Sequence, residues 1–319
     1  MPAILALGEA LVEIMRARRG VPFTRPAVFM GPYPSGAPAI FADCAARLGE
    51  ETGFVGVVGQ DDFGLVVRER LERDGVDTSY LRTAKGFPTG IAFVTYQRDG
   101  SRKFIFHLRH AAAGQLNPSD VNEGYVGRAK FLHIMGSSLA VSESSREACY
   151  CAARAAERGG VRISFDPNLR PELLGARETR RICKPILQRA YVVLPSGEEA
   201  SMLTGEADEM RACRGLLKLG PSIIALKQGR MGSKVISEGT GEGTHIPAFR
   251  VRELDPTGAG DSYDAGFVVG LLRGYSLRRA TAFANAVGAL SVTRWGPMEG
   301  CPLKGEVGKL MSSQPSVIG

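Results

Sequence analysis

The chain has 319 residues, of which 44% are hydrophobic and 23% are charged. This is the composition of a globular protein, and no apolar run approaches the roughly 18 residues that a membrane-spanning helix needs. The formal net charge of +7 comes from scattered Lys and Arg residues, which argues against a nucleic-acid partner because phosphate backbones require a concentrated basic face. Residues 1–16 lack the features of a signal peptide, so we expect a cytoplasmic protein that has no membrane partner.

The glycines and cysteines of the chain allow two further structural predictions. Forty glycines in a chain without an internal repeat are expected at tight turns and where the backbone approaches a ligand. The six cysteines contain no CxxC pair and are predicted to be reduced structural thiols, namely Cys44, Cys149, Cys151, Cys183, Cys213 and Cys301.

Short apolar runs alternate with amphipathic stretches along the chain, which is typical of a mainly parallel sheet with helices on both faces. Ser144, three residues before Glu147, is expected to cap a helix that ends at Gly159, and Asp61 or Asp62 to cap an earlier one. The predicted strands lie at residues 3–7, 53–58, 130–135, 161–165, 191–194 and 222–227. The other predicted helices lie at residues 37–48, 63–73, 178–188, 208–219, 260–272 and 277–293.

Two stretches, residues 13–34 and 89–106, break this rhythm because β-favouring residues alternate in them with polar ones. Alternation with period two indicates a sheet that is exposed on one face. We predict that both segments form a small β-sheet lid inserted into an α/β body, and that residues 1–319 form a single domain. Apolar residues expected on the lid surface would pair two lids in a homodimer, among them Ile91, Phe93 and Ile105.

A glycine-rich run near the C-terminus, residues 255–267, reads DPTGAGDSYDAGF. Gly258 and Gly260 stand directly before an amphipathic helix, where N–H groups at the positive helix end suit a transferring phosphoryl group. Asp261 lies at the same helix start, and its ionised carboxylate is able to accept a hydroxyl proton. The alternative interpretation makes Asp261 the N-cap of that helix, and the two roles are compatible.

The run at residues 255–267 resembles the second signature of the ribokinase-like (PfkB-type) sugar kinase family, and matching segments extend over nearly the whole chain. The resemblance implies a ribokinase-like three-layer α/β/α body with a mainly parallel sheet and a β lid. It also implies transfer of a phosphoryl group from ATP, with Mg²⁺, to a hydroxyl of a small sugar. The matching segments are 8–13 (GEALVE), 56–64 (GVVGQDDFG), 166–170 (DPNLR), 196–199 (SGEE) and 227–232 (KQGRMG).

The resemblance also implies roles for residues at matching positions. Asp261 would be the catalytic base, beside an anion hole formed by Gly258, Ala259 and Gly260. Glu199 would organise Mg²⁺ through water, since this cation keeps several waters when bound. Asp255 matches an acid near the monovalent-cation site of some members, which makes K⁺ a further candidate. The nucleotide would be bound by Ser196, which replaces the family's Asn, and by Lys227, Gly229, Gly232 and Asn285.

The sugar side departs from the family pattern. Glu13 stands where many members place Asp, and the turn at Gly36 and Ala37 is followed by Ile40 at the position of an Asn that often touches the sugar. Asn168, in the DPNLR segment, is expected to contact the substrate.

Two arginines bear on the class of substrate. Arg109 and Arg170 resemble the paired arginines that would bind a carboxylate in 2-keto-3-deoxygluconate kinases, as bidentate geometry favours. Alternatively, Arg109 is a solvated lid residue and Arg170 belongs to a structural ion pair. Residues 31–43 look more like ketohexose kinases of the tagatose-kinase type. We therefore predict a hexose-sized ketose or keto-sugar acid, of the 2-keto-3-deoxygluconate, tagatose or fructose type.

Rival classes lack their sequence signatures. Gly308 and Lys309 are followed by Leu310 without the earlier glycine of a P-loop. Residues 239–243 lack the GxGxxG spacing of a dinucleotide site, so their glycines are predicted to form a hairpin. A catalytically silent sugar or nucleotide sensor on the same fold remains as the alternative, because fold does not fix function.

Overall fold

The computed structural model describes residues 1–98, 101–169, 174–237 and 243–317. Among these residues no helix has the length and apolarity that a membrane crossing requires. The strands are β1 (Ile4–Leu7), β2 (Leu11–Arg16), β3 (Phe29–Ser35), β4 (Thr52–Gly59), β5 (Val76–Ala84), β6 (Gly90–Tyr96), β7 (Arg102–His107), β8 (Phe131–Met135), β9 (Arg162–Asp166), β10 (Ala190–Val193), β11 (Ile223–Lys227), β12 (Ser233–Ser237) and β13 (Thr244–Ile246). The helices are α1 (Ala37–Arg47), α2 (Asp62–Arg73), α3 (Glu123–Val126), α4 (Gly136–Val141), α5 (Glu143–Arg158), α6 (Ala176–Leu187), α7 (Glu199–Thr204), α8 (Glu209–Leu217), α9 (Ala259–Leu272), α10 (Leu277–Ser291) and α11 (Lys304–Ser313).

The larger sheet has nine strands in the order β13-β12-β11-β10-β9-β8-β1-β4-β5. From β5 to β11 all neighbours are parallel, which confirms the predicted mainly parallel sheet. Strands β12 and β13 close the other edge as an antiparallel pair. Gly239 and Gly241 of the predicted hairpin lie outside the described residues, between these two strands. The sequence pattern does not predict the edge strand β5.

Helices cover both faces of this sheet, as β1 shows. Leu5 and Leu7 pack with side chains of α5, α6 and α8 on one face. Ile4 and Ala6 pack with side chains of α1, α9 and α10 on the other face. Alternate residues of one buried strand thus belong to two cores, and the three-layer α/β/α architecture is confirmed.

The predicted lid is a four-stranded sheet with the order β3-β2-β6-β7. Strands β2 and β6 are parallel, whereas both outer pairs are antiparallel. Of the apolar residues expected on its surface, Ile105 is 41% exposed. Ile91 and Phe93 are only partly exposed, and the ring of Phe29 packs edge-on against Phe93 at 5.7 Å.

Two predicted helix starts are corrected by the structure. Helix α5 is capped by Ser142, whose side chain accepts from the Ser145 N–H at 3.0 Å, and the hydroxyl of Ser144 donates instead to the Leu116 carbonyl. Helix α9 is capped by Gly258 in the left-handed conformation, so Asp261 is not its N-cap. The cap predicted at Asp61 is confirmed, since its carboxylate accepts from the Gly64 N–H at 2.8 Å.

Candidate active site

A cavity of about 1340 Å³ is lined by the lid and by residues at the carboxyl ends of the parallel strands. This is where open α/β sheets bind ligands, and the volume exceeds the roughly 300–1,000 Å³ of a typical single-ligand pocket. The lid contributes Glu13, Phe104 and Phe106 to the lining, and the segment before α9 contributes Thr257. The cavity is therefore large enough for two ligands side by side.

The start of α9 forms one wall of this cavity. Gly258 has φ +78°, and a Cβ there would lie 2.4 Å from the carbonyl oxygen of Pro297, so only glycine fits. A Cβ at Gly260 would meet only the ammonium of Lys227 within 4 Å, at 3.6 Å, which shows that Gly260 borders open space. The first intrahelical bond runs from the Ser262 N–H to the Gly258 carbonyl, and the N–H groups before it have no partner within the helix. The Ala259 N–H donates to the Pro256 carbonyl at a long distance of 3.4 Å. This cradle suits an anion.

Asp261 is the third residue of α9 and lines the same wall, with 7% of its surface exposed. The amide of Asn168 donates to Asp261 Oδ1 at 3.3 Å. Asn168 has φ +39°, and its N–H donates to Asp166 Oδ1 at 3.0 Å. Its Oδ1 atom is buried and accepts no hydrogen bond from the described residues. Asn168 thus orients Asp261.

Lys227 lies at the end of β11 within a buried ion cluster. Its ammonium is 3.0 Å from Asp166 Oδ2 and 3.0 Å from Asp264 Oδ1. Burial raises the pKa of Asp166, but the charge of the Lys227 ammonium and the hydrogen bonds with Asp264 and Lys227 together lower it below its usual value. Burial and then the Asp166 carboxylate raise the pKa of Asp264 well above its usual value. Lys227 therefore lines the cavity as a neutralised cation, bonded to two carboxylates.

Ser196 follows β10, Glu199 is the first residue of α7, and both line the cavity. Glu199 Oε1 accepts from the Leu169 N–H at 2.7 Å, and Oε2 accepts from the N–H and hydroxyl of Ser196 at 2.7 and 2.8 Å. Burial, and then the Asp166 carboxylate, raise the pKa of Glu199. The described part of the chain holds no group of three or more His, Cys, Asp or Glu residues able to bind a metal. This arrangement fits Mg²⁺ held mainly by nucleotide and water.

The predicted nucleotide residues Gly229, Gly232 and Asn285 line the cavity together. At Gly232, with φ +99°, a Cβ would lie 2.1 Å from the Ile246 carbonyl oxygen. The Asn285 amide donates to the carbonyls of Ile246 and Pro247 at 2.9 and 3.1 Å, while its oxygen accepts from the Ser233 hydroxyl at 2.8 Å. The polar atoms of Asn285 are therefore used within the protein, so it shapes the cavity by holding the chain beside it.

Carboxylates line the cavity where the lid meets α1. Glu13 Oε1 accepts from the Ser35 hydroxyl at 2.7 Å, and Gly36, the N-cap of α1, leads into Ala37. All four residues line the cavity. Glu9, a buried cavity residue that sequence reasoning missed, accepts from the hydroxyl of Ser137 at 2.6 Å. The sequence signal for Glu9 was its place in the matching segment at residues 8–13.

The structure does not bring Arg109, one of the two predicted carboxylate-binding arginines, to the cavity. Arg109 is exposed and is absent from the cavity lining among the described residues. Arg170 lies outside the described residues. Three lid arginines that the sequence did not single out line the cavity instead, namely Arg19, Arg98 and Arg102.

Asp255 is completely buried and does not line the cavity. Its Oδ1 accepts from the hydroxyl of Tyr96 and from the Thr257 N–H, the latter at 3.0 Å. Its Oδ2 accepts from the Gly296 N–H at 2.9 Å. Because both oxygens already have protein donors, these contacts give no support for a monovalent cation at Asp255.

Comparisons with known proteins agree with this geometry. The model of the pfkB family carbohydrate kinase matches residues 5–304. Probable fructokinase-5 of Arabidopsis thaliana is 31% identical over 98% of this chain and 98% of its own length. The 2-dehydro-3-deoxygluconokinase of Bacillus subtilis is 32% identical over 89% of this chain and 88% of its own. A putative ribokinase II from E. coli, solved in complex with ATP and Mg²⁺, is 39% identical with a TM-score of 0.91, covering 98% of this chain and 100% of that one.

None of these relatives supports the silent sensor that the sequence left as an alternative. The family match spans most of the chain, and the relatives carry the names of sugar kinases. The chain therefore belongs to the pfkB family of carbohydrate kinases and is an ATP-dependent sugar kinase.

Proposed function

We propose that this enzyme transfers the γ-phosphoryl group of ATP to a hydroxyl of a hexose-sized ketose, with Asp261 as the catalytic base. The observation that carries the proposal is the position of Asp261 on the cavity wall, held by Asn168 beside the N–H groups that start α9. A carboxylate next to such a cradle removes a proton and stabilises developing charge at one point.

In the proposed reaction, Asp261 accepts the proton of the substrate hydroxyl while the hydroxyl oxygen forms a bond to the γ-phosphorus. The bond from phosphorus to the β,γ-bridging oxygen breaks, and ADP leaves. The N–H groups of Gly258, Ala259 and Gly260 bind oxygens of the transferring group. Mg²⁺, when bound, neutralises phosphate charge, and Glu199 would hold its water shell.

The nucleotide is proposed to occupy the part of the cavity beyond the cradle. Gly229 and Gly232 let the chain approach it closely, since both have positive φ and line the cavity. Ser196 and Asn285 border the same space. Lys227 acts there by fixing the ends of β9 and β11 to α9, because its ammonium is bonded to Asp166 and Asp264.

The lining where the lid meets α1 favours a neutral ketose over a keto-sugar acid. Glu9 and Glu13 are buried carboxylates that accept bonds from hydroxyl groups, which suits the hydroxyls of a sugar. A substrate carboxylate would meet like charge there. Arg109 does not line the cavity, so a sugar acid would depend on the lid arginines Arg98 and Arg102 for its countercharge. Fructose and tagatose therefore fit this lining better than 2-keto-3-deoxygluconate does.

A panel of sugars tests the substrate proposal. ADP release would be followed with fructose, tagatose, 2-keto-3-deoxygluconate and glucose, and the phosphorylated product would be identified by NMR. We expect kcat/KM to be at least about tenfold higher for a ketose than for the sugar acid, because one mismatched polar group in a binding site lowers kcat/KM by at least this factor. A preference for 2-keto-3-deoxygluconate, lost selectively in Arg109→Ala, would contradict the proposal. The same variant should leave ketose turnover unchanged.

Three further features belong to the proposal. We infer a single domain over residues 1–319, because lid and body line one cavity.

We infer a homodimer through the outer face of the lid, where Phe29 and Ile105 are 37% and 41% exposed. A monomer mass that is independent of concentration would contradict the dimer. ATP and Mg²⁺ suffice in this scheme, with no K⁺ at Asp255, and a cytoplasmic location stays a prediction.

A further inference from the structure

Tyr96 joins the lid to the segment that leads into α9. It is the last residue of β6, and only 1% of its surface is exposed. Its hydroxyl donates to Asp255 Oδ1 and lies 2.8 Å from Thr257 Oγ1. The edge of Trp295 packs against its ring at 6.1 Å, and the guanidinium of Arg19 lies over the ring at 5.7 Å. These contacts hold the Tyr96 ring in place, with its hydroxyl bonded to Asp255 and Thr257 of the α/β body.

Arg19 makes a second contact between the lid and the same segment of the body, because its guanidinium donates to the Leu254 carbonyl at 3.2 Å. Leu254 directly precedes Asp255, so two lid side chains bind consecutive residues of the body. Asp255 in turn accepts from the Thr257 N–H, which closes a tight turn immediately before Gly258. The lid therefore contacts the chain three residues before the anion cradle begins.

We propose that Tyr96 is a positioning residue that fixes the phosphate-binding turn from the lid, and that its hydroxyl takes the place which the family resemblance gives to a monovalent cation. A cation ligated by Asp255 would compete with the Tyr96 hydroxyl for a carboxylate that already accepts three hydrogen bonds. Preorganised N–H groups stabilise transferring charge only when their positions are fixed, so a loosened turn lowers the rate of the chemical step. The inference rests on the proposed role of residues 258–261.

The test compares the wild type with Tyr96→Phe, which removes the hydroxyl and keeps the ring. We expect kcat to fall about tenfold, the usual effect of losing one hydrogen bond to a charged group, while KM for the sugar changes less than about threefold. Thr95→Val is the matched control, because the Thr95 hydroxyl bonds the Val21 carbonyl at 2.8 Å within the lid. Its kcat should stay near that of the wild type. Unchanged kcat in Tyr96→Phe with a raised sugar KM would overturn the proposal, since Tyr96 would then only cover the sugar.

The cation part is tested without any sugar. Wild-type protein should show the same Tm and the same affinity for ADP with Mg²⁺ in potassium chloride as in tetramethylammonium chloride at equal ionic strength. Tighter binding or a raised Tm in K⁺ alone would overturn it. Neither Tm nor the affinity for ADP depends on which sugar is the substrate. A failure of the cation proposal can therefore be told apart from a failure of the proposed substrate. If Tyr96→Phe does not fold, Thr257→Val removes the second partner of the hydroxyl, and an unchanged kcat in that variant would equally count against Tyr96.

Discussion

Two buried ion clusters in this molecule are alike in composition and differ in their surroundings. In the cavity cluster, Lys227 is bonded to Asp166 and Asp264, and the three side chains join β9, β11 and α9. Lys227 and Asp166 line the cavity, while Asp264 follows Asp261 by three residues on the same helix. Residues three apart are neighbours on a helix surface, so the cluster adjoins the proposed base.

The helix cluster is formed by Arg70, Asp43, Asp74 and Glu299. Arg70 Nε lies 3.1 Å from Asp43 and 2.6 Å from Asp74, and Nη1 lies 2.7 Å from Glu299. Arg70 also donates to the Met298 carbonyl at 2.6 Å, which ties α1 and α2 to the C-terminal segment. None of these described residues lines the cavity.

The difference shows that a buried, neutralised cation does not by itself mark an active site. In both clusters a central cation lies between carboxylates at similar distances and is nearly inaccessible to solvent, although Asp74 of the helix cluster also pairs with Arg47 at 3.2 Å. What separates them is the chemistry next to them, because only the cavity cluster adjoins an anion cradle and Asp261. Substitutions should therefore cost stability in both clusters and turnover in one.

The largest effect is expected for Asp261→Asn, which keeps the shape of the side chain and removes the base beside the cavity cluster. Turnover should fall by about 10²–10⁴-fold, the usual contribution of a general base, with ADP binding retained. Steady-state kinetics and calorimetric titration with ADP and Mg²⁺ measure the two quantities. Ser262→Ala is the matched control, since its hydroxyl is buried against Cys301 at 3.7 Å, away from the cavity. Wild-type turnover in Asp261→Asn would refute the proposed base.

Lys227→Met and Arg70→Met test the comparison directly. Each removes the cation from a fully buried Asp, which is Asp264 in Lys227→Met and Asp43 in Arg70→Met, so each should lose about 3–5 kcal/mol in free energy of unfolding, measured with urea. In protein that remains folded, kcat should fall at least about tenfold in Lys227→Met, because the strand ends and α9 lose their link, and stay unchanged in Arg70→Met. An equal loss of kcat in both variants would remove the distinction between the clusters.

The sequence predicted the parallel sheet and the lid because both depend on local periodicity. It did not predict β5, an edge strand whose side chains are mostly part-exposed and follow neither simple pattern. It also chose Ser144 rather than Ser142 as a helix cap, since only Ser144 has a Glu three residues later, whereas Ser142 has Ser145 there. In both places the local pattern does not determine the structure, and tertiary packing does.

The site was predictable where family motifs carried it, and not where its residues meet across the chain. Lys227 and Asp264 are 37 residues apart, and Tyr96 and Asp255 are 159 apart. No local spacing reveals such pairs, although Asp264 had one signal, its place three residues after Asp261 in the same helix. Arg109 shows the opposite outcome. The family resemblance predicts it at the sugar site, but in the structure Arg109 is exposed and does not line the cavity.

The smallest effect concerns the pH dependence of the helix cluster. Burial raises the pKa of Asp43 to about 7, although the charge of the Arg70 guanidinium acts in the opposite direction. The folded state therefore binds more protons than the unfolded state between about pH 4 and pH 7, and this group makes the protein less stable as the pH rises through that window. A single such group contributes a slope of up to about 1.4 kcal/mol per pH unit, which levels off above pH 7.

Asp43→Asn removes this titration, so the free energy of unfolding of the variant relative to the wild type should rise from pH 5 to pH 7 and then stay constant. Urea unfolding at pH 5, 6, 7 and 8 measures the difference. Glu178→Gln serves as the control, because a side-chain hydrogen bond from Arg181 lowers the pKa of this exposed carboxyl, and its curve should run parallel to the wild type above pH 5. Parallel curves for Asp43→Asn and the wild type would mean that Arg70 keeps Asp43 ionised throughout. The helix cluster would then be a permanent ion pair.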